Sequence, residues 1–148
     1  MKVYLASPFF NQEEITVYEK VIKLLREEKD LDVFVPREHT IPGGWDMPNH
    51  IWGENVFAVD ILGIQKSDVV VVLNFGMYSD SGTAWECGYA YALGKKVVNI
   101  CIGYDTDEYS LMMLNGSALT FSLGDLEAFP LSHLLKRRED YKKDFLQK

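Results

Sequence analysis

Two acidic residues fall at positions where a helix would bury them. Asp60 lies on a stripe of apolar residues that recur at helical spacing, and Glu86 occupies the same kind of position further along the chain. The stripes consist of Gly53, Val56, Phe57, Ile61 and Ile64 around Asp60, and of Gly82, Tyr89, Ala90 and Leu93 around Glu86. A carboxylate there is costly unless it is paired, so it marks either a functional site or a buried polar network. The residues alone leave both interpretations open.

A third carboxylate, Asp80, precedes the helix that carries Glu86. Aspartate is a favoured N-cap residue, and a helix cap is the first interpretation of Asp80, although a cap can also bind a ligand. Six residues separate Asp80 from Glu86, which corresponds to roughly 9 Å along a helix axis. That gap is wide enough to bracket one small ligand.

The sequence lacks several motifs that would direct other chemistry. It contains no GxxxxGK[ST] phosphate loop, no GxGxxG and no GxSxG elbow. The three histidines, His39, His50 and His133, show no metal-ligand spacing. We therefore predict neither a metal nor a cofactor. Carboxylates without a metal or a phosphate cradle favour chemistry at a sugar carbon, where one acid attacks and another assists the leaving group.

The elements that must position these residues alternate between strand and helix. Strands are predicted at Val3–Ala6, Asp32–Val35, Asp68–Leu73, Lys96–Ile102 and Ala118–Ser122, and helices at Asn11–Lys29, Ile51–Lys66, Ser81–Leu93, Leu111–Leu114 and Leu131–Lys148. Such alternation implies parallel strands with right-handed crossovers. The expected fold is an α/β three-layer sandwich with a five-stranded parallel sheet, flavodoxin-like in outline, formed by residues 1–148 as one domain.

Ligands of such sheets bind beyond the carboxyl ends of the strands. The loops after Ala6, Val35 and Leu73 should therefore line the site. Phe9 and Phe10 lie in the first of these loops, where they cover either a ligand or the core. The segment Arg37–His50 is long and rich in Gly and Pro, and it is a candidate lid.

Composition limits the possible partners. The net charge of −7 argues against a nucleic-acid polymer, which needs a basic surface. No apolar run is long enough to span a membrane. The opening residues lack the features of a signal peptide, so we expect a cytoplasmic protein. Cys87 and Cys101 are predicted to be buried free thiols.

Three segments together resemble the nucleoside 2-deoxyribosyltransferase family. Residues 80–90 (DSGTAWECGYA) resemble its D-x-G-x-x-x-E-x-G motif, residues 4–10 (YLASPFF) its opening strand and loop, and residues 60–64 (DILGI) its D-L-x-x-I helix. The resemblance covers nearly the whole chain in length and order of elements. It implies transfer of 2-deoxyribose between purine or pyrimidine nucleobases, without a cofactor and with retention at C1′.

The resemblance also assigns roles. Glu86 matches the nucleophile that holds deoxyribose as an ester, Tyr4 the phenol that orients it, and Asp60 the acid at the nucleobase. Asp80 matches the carboxylate that holds the sugar hydroxyls. The predicted substrate-binding residues are Asp80, Ser7, Phe9, Phe10, Gly82, Thr40, Ser110 and Met112.

Oligomerisation is a further implication of the resemblance. Met112 matches a methionine that a neighbouring subunit supplies, which implies a homo-oligomer, either a dimer or a hexamer built from dimers, with shared active sites. The chain departs from the family at Ser110, where many members have Asn, and at His39-Thr40, where members often have Asn-Gln. The base preference is therefore not carried over.

Two alternatives remain at this stage. One is a 2′-deoxynucleoside 5′-monophosphate N-glycosidase of the same fold. The hydroxyls of Ser7 and Ser81 could donate hydrogen bonds to the substrate phosphate, although no Lys or Arg lies in residues 4–10 or 80–90. The other is a nucleotide-sensing module without catalysis. That module leaves the carboxylates and Tyr4 unexplained.

Overall fold

Strands and helices alternate through the part of the chain that this computed structural model describes, residues 1–103 and 109–128. The strands are β1 (Lys2–Ala6), β2 (Asp32–Phe34), β3 (Val69–Asn74), β4 (Lys96–Cys101) and β5 (Leu119–Ser122). The helices are α1 (Gln12–Lys23), α2 (Asn49–Lys66), α3 (Ser81–Ala92), α4 (Leu111–Asn115) and α5 (Leu123–Ala128).

The five strands form one parallel sheet in the order β2-β1-β3-β4-β5. The predicted fold class is confirmed. The chain runs from β1 outward to β2 and then returns to β3 on the other side of β1, so β1 is the switch point of the sheet. In open parallel sheets the ligand crevice lies at such a point, beyond the carboxyl ends of the strands.

Helices cover both faces of the sheet. One core cluster joins Val3 and Leu5 of β1 to α1 and α5, and the other joins Tyr4 and Ala6 of the same strand to α2, α3 and α4. This division follows from the alternation of side chains along a strand. The six residues of β3 are all buried, as the uninterrupted β-branched run predicts for a central strand.

The ends of several elements differ from the prediction. The Asn11 side chain accepts a hydrogen bond from the Glu14 amide (2.9 Å) and caps α1, which passes at Leu24 into a π-helical turn that ends at Glu28. The predicted stop after α3 is confirmed, because Gly94 adopts a φ of +74°. The predicted helix Leu131–Lys148 lies outside the described residues, and α5 was not predicted.

The expected burial of α2 was wrong for most of its length. Only Gly63 and Ile64 are buried, whereas Phe57 is 55% exposed. The helix packs on the sheet at its carboxyl-terminal end and leaves its earlier turns uncovered in the isolated chain. The predicted loop Arg37–His50 overlaps a 3-10 turn at Pro36–Glu38, contains a second at Gly44–Asp46, and ends within the first turn of α2. No helix among the described residues is long and apolar enough to cross a membrane.

Candidate active site

The hydroxyl of Tyr4 donates a hydrogen bond to Oε2 of Glu86. Tyr4 lies in the centre of β1 and is wholly buried, while Glu86 lies on the second turn of α3 and is half-buried. A strand and a helix that are far apart in the sequence thus bring these two side chains together. The rigid phenol fixes the position of the carboxylate.

The environment of Glu86 makes its charge costly. Burial raises the pKa of Glu86 to about 7, the Tyr4 hydrogen bond opposes this rise, and the carboxylates of Asp60 and Asp80 add to it. Burial also raises the pKa of Tyr4 well above its usual range, and the negative charge of Glu86 adds to that rise. The phenol therefore stays protonated and remains a donor to the carboxylate.

Asp60 faces the same region from the fourth turn of α2. It is half-buried, and burial raises its pKa to about 6, an effect that His39 opposes. Asp60 in turn raises the pKa values of both Glu86 and Tyr4. The two acidic residues that the sequence singled out thus share one site, each with a pKa displaced toward neutrality.

Asp80 is the N-cap of α3. Its Oδ2 accepts hydrogen bonds from the Thr83 amide (2.8 Å) and from the Thr83 hydroxyl (3.0 Å). Both bonds use the same oxygen, so capping occupies one side of the carboxylate. A methyl group at Gly82 would lie 3.1 Å from Oδ2, which explains why a glycine at this position suits the cap. The capping interpretation is confirmed.

The loop after β1 holds three of the predicted substrate-binding residues. Ser7 is buried, and its hydroxyl donates to the Pro8 carbonyl (2.8 Å). The Phe9 ring stacks on Tyr18 with a centroid distance of 5.7 Å and packs against the core, whereas Phe10 is 73% exposed. Phe9 thus covers the core, and of these two rings only Phe10 is widely open to solvent.

The other predicted binding residues lie on the surface of the isolated chain. Thr40 is exposed, and Ser110 is half-buried at the start of α4. Met112 is 84% exposed, whereas its neighbour Met113 is buried in the core. Met113 thus fills the protomer's own core, whereas Met112 does not.

Sequence reasoning missed one aromatic residue beside the site, Phe34, and gave His39 no role. The Phe34 ring stacks on Tyr4 (5.4 Å between centroids, 13° between planes) and on His39 (4.0 Å, 8°). Tyr4 and Phe34 are register partners on neighbouring parallel strands. The alternation of side chains along β1 and β2 shows which residues of each strand share a face, but it does not give the register that pairs Tyr4 with Phe34.

Two surface clefts lie apart from Glu86. One of about 480 Å³ lies beside α1 and is lined by Tyr18, Arg26 and Arg37 among others. The other, of about 520 Å³, lies between β2 and α2. Among residues 1–103 and 109–128, no group of three His, Cys, Asp or Glu side chains is arranged to hold a metal ion. Both cysteines are free and buried, as predicted.

Comparison with known proteins gives consistent results. A family model described as nucleoside 2-deoxyribosyltransferase matches residues 3–123. A solved structure of a 2-deoxyribosyltransferase from Bacillus psychrosaccharolyticus is 32% identical, with a TM-score of 0.79 over 90% of this chain and 96% of that one. A sequence search among curated proteins finds no significant match.

More distant solved structures share the fold alone. A conserved protein from Enterococcus faecalis is 21% identical, with a TM-score of 0.74 over 90% of this chain and 98% of that one. A CMP N-glycosidase from Clostridium botulinum is 18% identical, with a TM-score of 0.56 over 98% of each chain.

Proposed function

Because the chain belongs to the nucleoside 2-deoxyribosyltransferase family, we propose that it transfers 2-deoxyribose between nucleobases through a covalent ester on Glu86. The observation that carries this proposal is the hydrogen bond from the buried Tyr4 phenol to the Glu86 carboxylate. A half-buried carboxylate held by a rigid donor is a nucleophile with a fixed direction of attack.

In the first displacement a Glu86 carboxylate oxygen attacks C1′ of the nucleoside. The bond between C1′ and the base nitrogen breaks, and its electron pair leaves with the base. Asp60 donates its proton to the departing base, which suits a carboxyl whose pKa burial has raised to about 6. The products of this step are a deoxyribosyl ester on Glu86 and a neutral nucleobase.

In the second displacement a nitrogen of the incoming base attacks C1′ of the ester. The electron pair of the ester bond returns to Glu86, and Asp60 accepts the proton of the incoming base. Two inversions at C1′ give net retention. Burial of the reacting carboxylate limits the access of water, which would otherwise hydrolyse the ester.

The surface of the isolated chain supports an oligomer with shared sites. Large apolar side chains on α2, α3 and α4 are exposed to solvent, among them Trp52 (46% exposed), Phe57 (55%), Trp85 (50%), Leu111 (74%) and Met112 (84%). The rings of Phe57 and Trp85 contact each other edge to face, 5.4 Å between centroids, and exposed apolar side chains that form a patch mark interaction sites. We place a second copy of the chain against this face, with Met112 of one subunit near the site of its neighbour.

Hydrolysis of a nucleoside monophosphate is the alternative activity. This activity would need hydrogen-bond donors to the substrate phosphate, and the Ser7 hydroxyl already donates its hydrogen bond to the Pro8 carbonyl. The likeness to a CMP N-glycosidase concerns the fold. We therefore treat hydrolysis, and binding without catalysis, as outcomes of the test.

The test incubates the protein with deoxyinosine and free adenine and separates the products by chromatography, with thymidine and adenine in a parallel assay. Transfer yields deoxyadenosine. Hypoxanthine or thymine without deoxyadenosine would indicate hydrolysis of the nucleoside, and release of the base from 2′-deoxyinosine 5′-monophosphate in a third assay would indicate the monophosphate hydrolase. No product in any of the three assays would indicate a binding module. Glu86→Gln should abolish product formation. The control is Glu19→Gln, which should leave product formation unchanged because Glu19 is an exposed carboxylate on the opposite face of the sheet.

A further inference from the structure

The His39 ring belongs to a stack that ends at the proposed nucleophile. Phe34 lies between Tyr4 and His39, nearly parallel to both, with centroid distances of 5.4 and 4.0 Å. The Tyr4 hydroxyl contacts Glu86 at the other end of this series. The imidazole is thus positioned by the same rings that position the phenol.

Helix α2 approaches this stack closely at Gly63. A methyl group at Gly63 would lie 2.7 Å from Cε1 of Phe34 and 2.9 Å from two further ring atoms, so the ring packs directly on the helix backbone. Asp60 precedes Gly63 by three residues and lies on the same helix face. His39, Phe34, Val59 and Gly63 also line one cleft. The exposed His39 ring is therefore stacked on Phe34 beside the part of α2 that carries Asp60.

Several charged groups surround this contact. His39 opposes the burial that raises the pKa of Asp60. Glu38, beside His39, is held by Arg26 through two hydrogen bonds of 2.7 Å. The titratable groups of other elements that interact with Asp60 are the neutral phenol of Tyr4 on β1 and the carboxyl of Glu86 on α3. The charged groups that line the cleft with His39 are Lys2, Asp32 and Lys66.

We propose that His39 is a positioning residue for the transfer reaction: its imidazole, stacked on Phe34, controls through its charge how readily Asp60 gives its proton to the departing nucleobase. This inference rests on the proposed function. A cationic imidazole stabilises the Asp60 carboxylate, lowers the pKa of Asp60 and so keeps less of it protonated at a given pH.

The first measurement follows the Asp60 side-chain carboxyl by ¹³C NMR as a function of pH. His39→Gln removes both ring and charge, and His39→Phe keeps the stacked ring while removing the charge. We expect the Asp60 midpoint to rise by roughly 0.5 to 1 pH unit in both variants, because the charge acts on a half-exposed carboxylate. His50→Gln is the control, since His50 lies ten residues from Asp60 on α2, roughly 15 Å along the helix.

An unchanged midpoint in both His39 variants would overturn the inference, and so would a shift in His39→Gln alone, because packing would then explain it. The second measurement is the pH profile of kcat/KM with a donor whose base leaves slowly. On the high-pH side of the profile kcat/KM should be higher in both His39 variants than in the wild type, because the protonated fraction of Asp60, which the NMR midpoint reports, limits the rate there. An inactive wild type whose Asp60 midpoint still responds to His39 would count against the proposed function, whereas an active wild type without the response would count against His39 alone.

Discussion

At the scale of single residues, the site holds two acids that burial pushes toward neutrality. Burial raises the pKa of Glu86 to about 7 and that of Asp60 to about 6, and the negative charge of Asp60 adds to the rise at Glu86. Such a pair carries one proton over a narrow pH range. Transfer needs the one-proton form in which the proton lies on Asp60, because the Glu86 carboxylate attacks while the Asp60 carboxyl protonates the base. Since the pKa of Glu86 is the higher of the two, this form is the minor arrangement of the pair, and its amount is greatest between the two pKa values.

The pH dependence of kcat/KM should therefore be bell-shaped, with limbs near pH 6 and 7. Below pH 6 both acids are protonated and the nucleophile is lost, and above pH 7 both are ionised and the proton donor is lost. Steady-state rates measured from pH 4.5 to 9 check this, with circular dichroism at each pH to show that the fold persists. A rate that stays flat from pH 5 to 8.5 would disagree with the assignment of this pair.

Asp60→Asn tests the role of the acid. An amide at residue 60 has no carboxyl proton to donate, so we expect kcat to fall by roughly 100-fold or more with deoxyguanosine as donor. With 7-methyl-2′-deoxyguanosine, whose base is already cationic and leaves without a proton, the loss should be much smaller. Equal losses with the two donors would show that Asp60 does not act as the acid.

At the scale of elements, the sequence predicted the order of the elements well and their packing poorly. The β-branched run of β3, the cap at Asp80 and the stop at Gly94 are local signals, and the structure bears out all three. The helical periodicity predicted α2 correctly, but the exposure of Phe57 contradicts the expectation that its apolar stripe is buried. Periodicity shows that a helix has an apolar face but not which body covers it, whether the protomer's own sheet or another chain.

The candidate site was predictable in part for the same physical reason. Asp60 and Glu86 stand out because carboxylates on apolar stripes are rare and costly. The stack of Phe34 on Tyr4 and His39 depends on strand register and on the approach of α2 at Gly63. These are contacts between segments that are distant in the sequence, and the spacing of residues within one segment does not predict them.

The close approach at Gly63 should make this residue intolerant of a side chain. In Gly63→Ala the new methyl group overlaps the Phe34 ring, and we expect a destabilisation of about 1–3 kcal/mol. Denaturant unfolding monitored by circular dichroism measures this loss. The displaced Phe34 ring should also weaken the support of Tyr4 and lower kcat.

Gly53→Ala is the matched control on the same helix. No atom lies within 4 Å of a methyl group added there, and alanine favours a helix over glycine by up to about 1 kcal/mol. This variant should therefore be as stable as the wild type or more stable. Equal stability effects at Gly63 and Gly53 would contradict the close contact between α2 and Phe34.

At the scale of the whole molecule, the described residues expose several large apolar side chains on the helices of one face of the sheet. Helices α1 and α5 cover one side of the sheet, and α2, α3 and α4 cover the other and carry the open aromatic and methionine side chains. The candidate site opens on this second side. Pairing of two copies would cover the face and enclose the site in one step, which links assembly to activity.

Met112→Glu tests this link, because a charge in an apolar contact should weaken assembly and activity together. Sedimentation velocity at micromolar concentration should show a dimer or larger species for the wild type and a smaller species for the variant. Gln12→Glu adds the same charge on α1, on the opposite face, and should change neither property. A fully active monomeric wild type would rule out shared sites but not the Glu86 chemistry.

The covalent ester on Glu86 is the central claim, and mass spectrometry tests it most directly. A 2′-fluoro-substituted deoxynucleoside should form the ester and slow its breakdown, because fluorine destabilises the cationic transition state. The intact protein should gain the mass of one fluorodeoxyribosyl group, and peptide mapping should locate it on Glu86, with no gain in Glu86→Ala. A modified residue other than Glu86, or full turnover by a folded Glu86→Ala protein, would contradict the proposed mechanism.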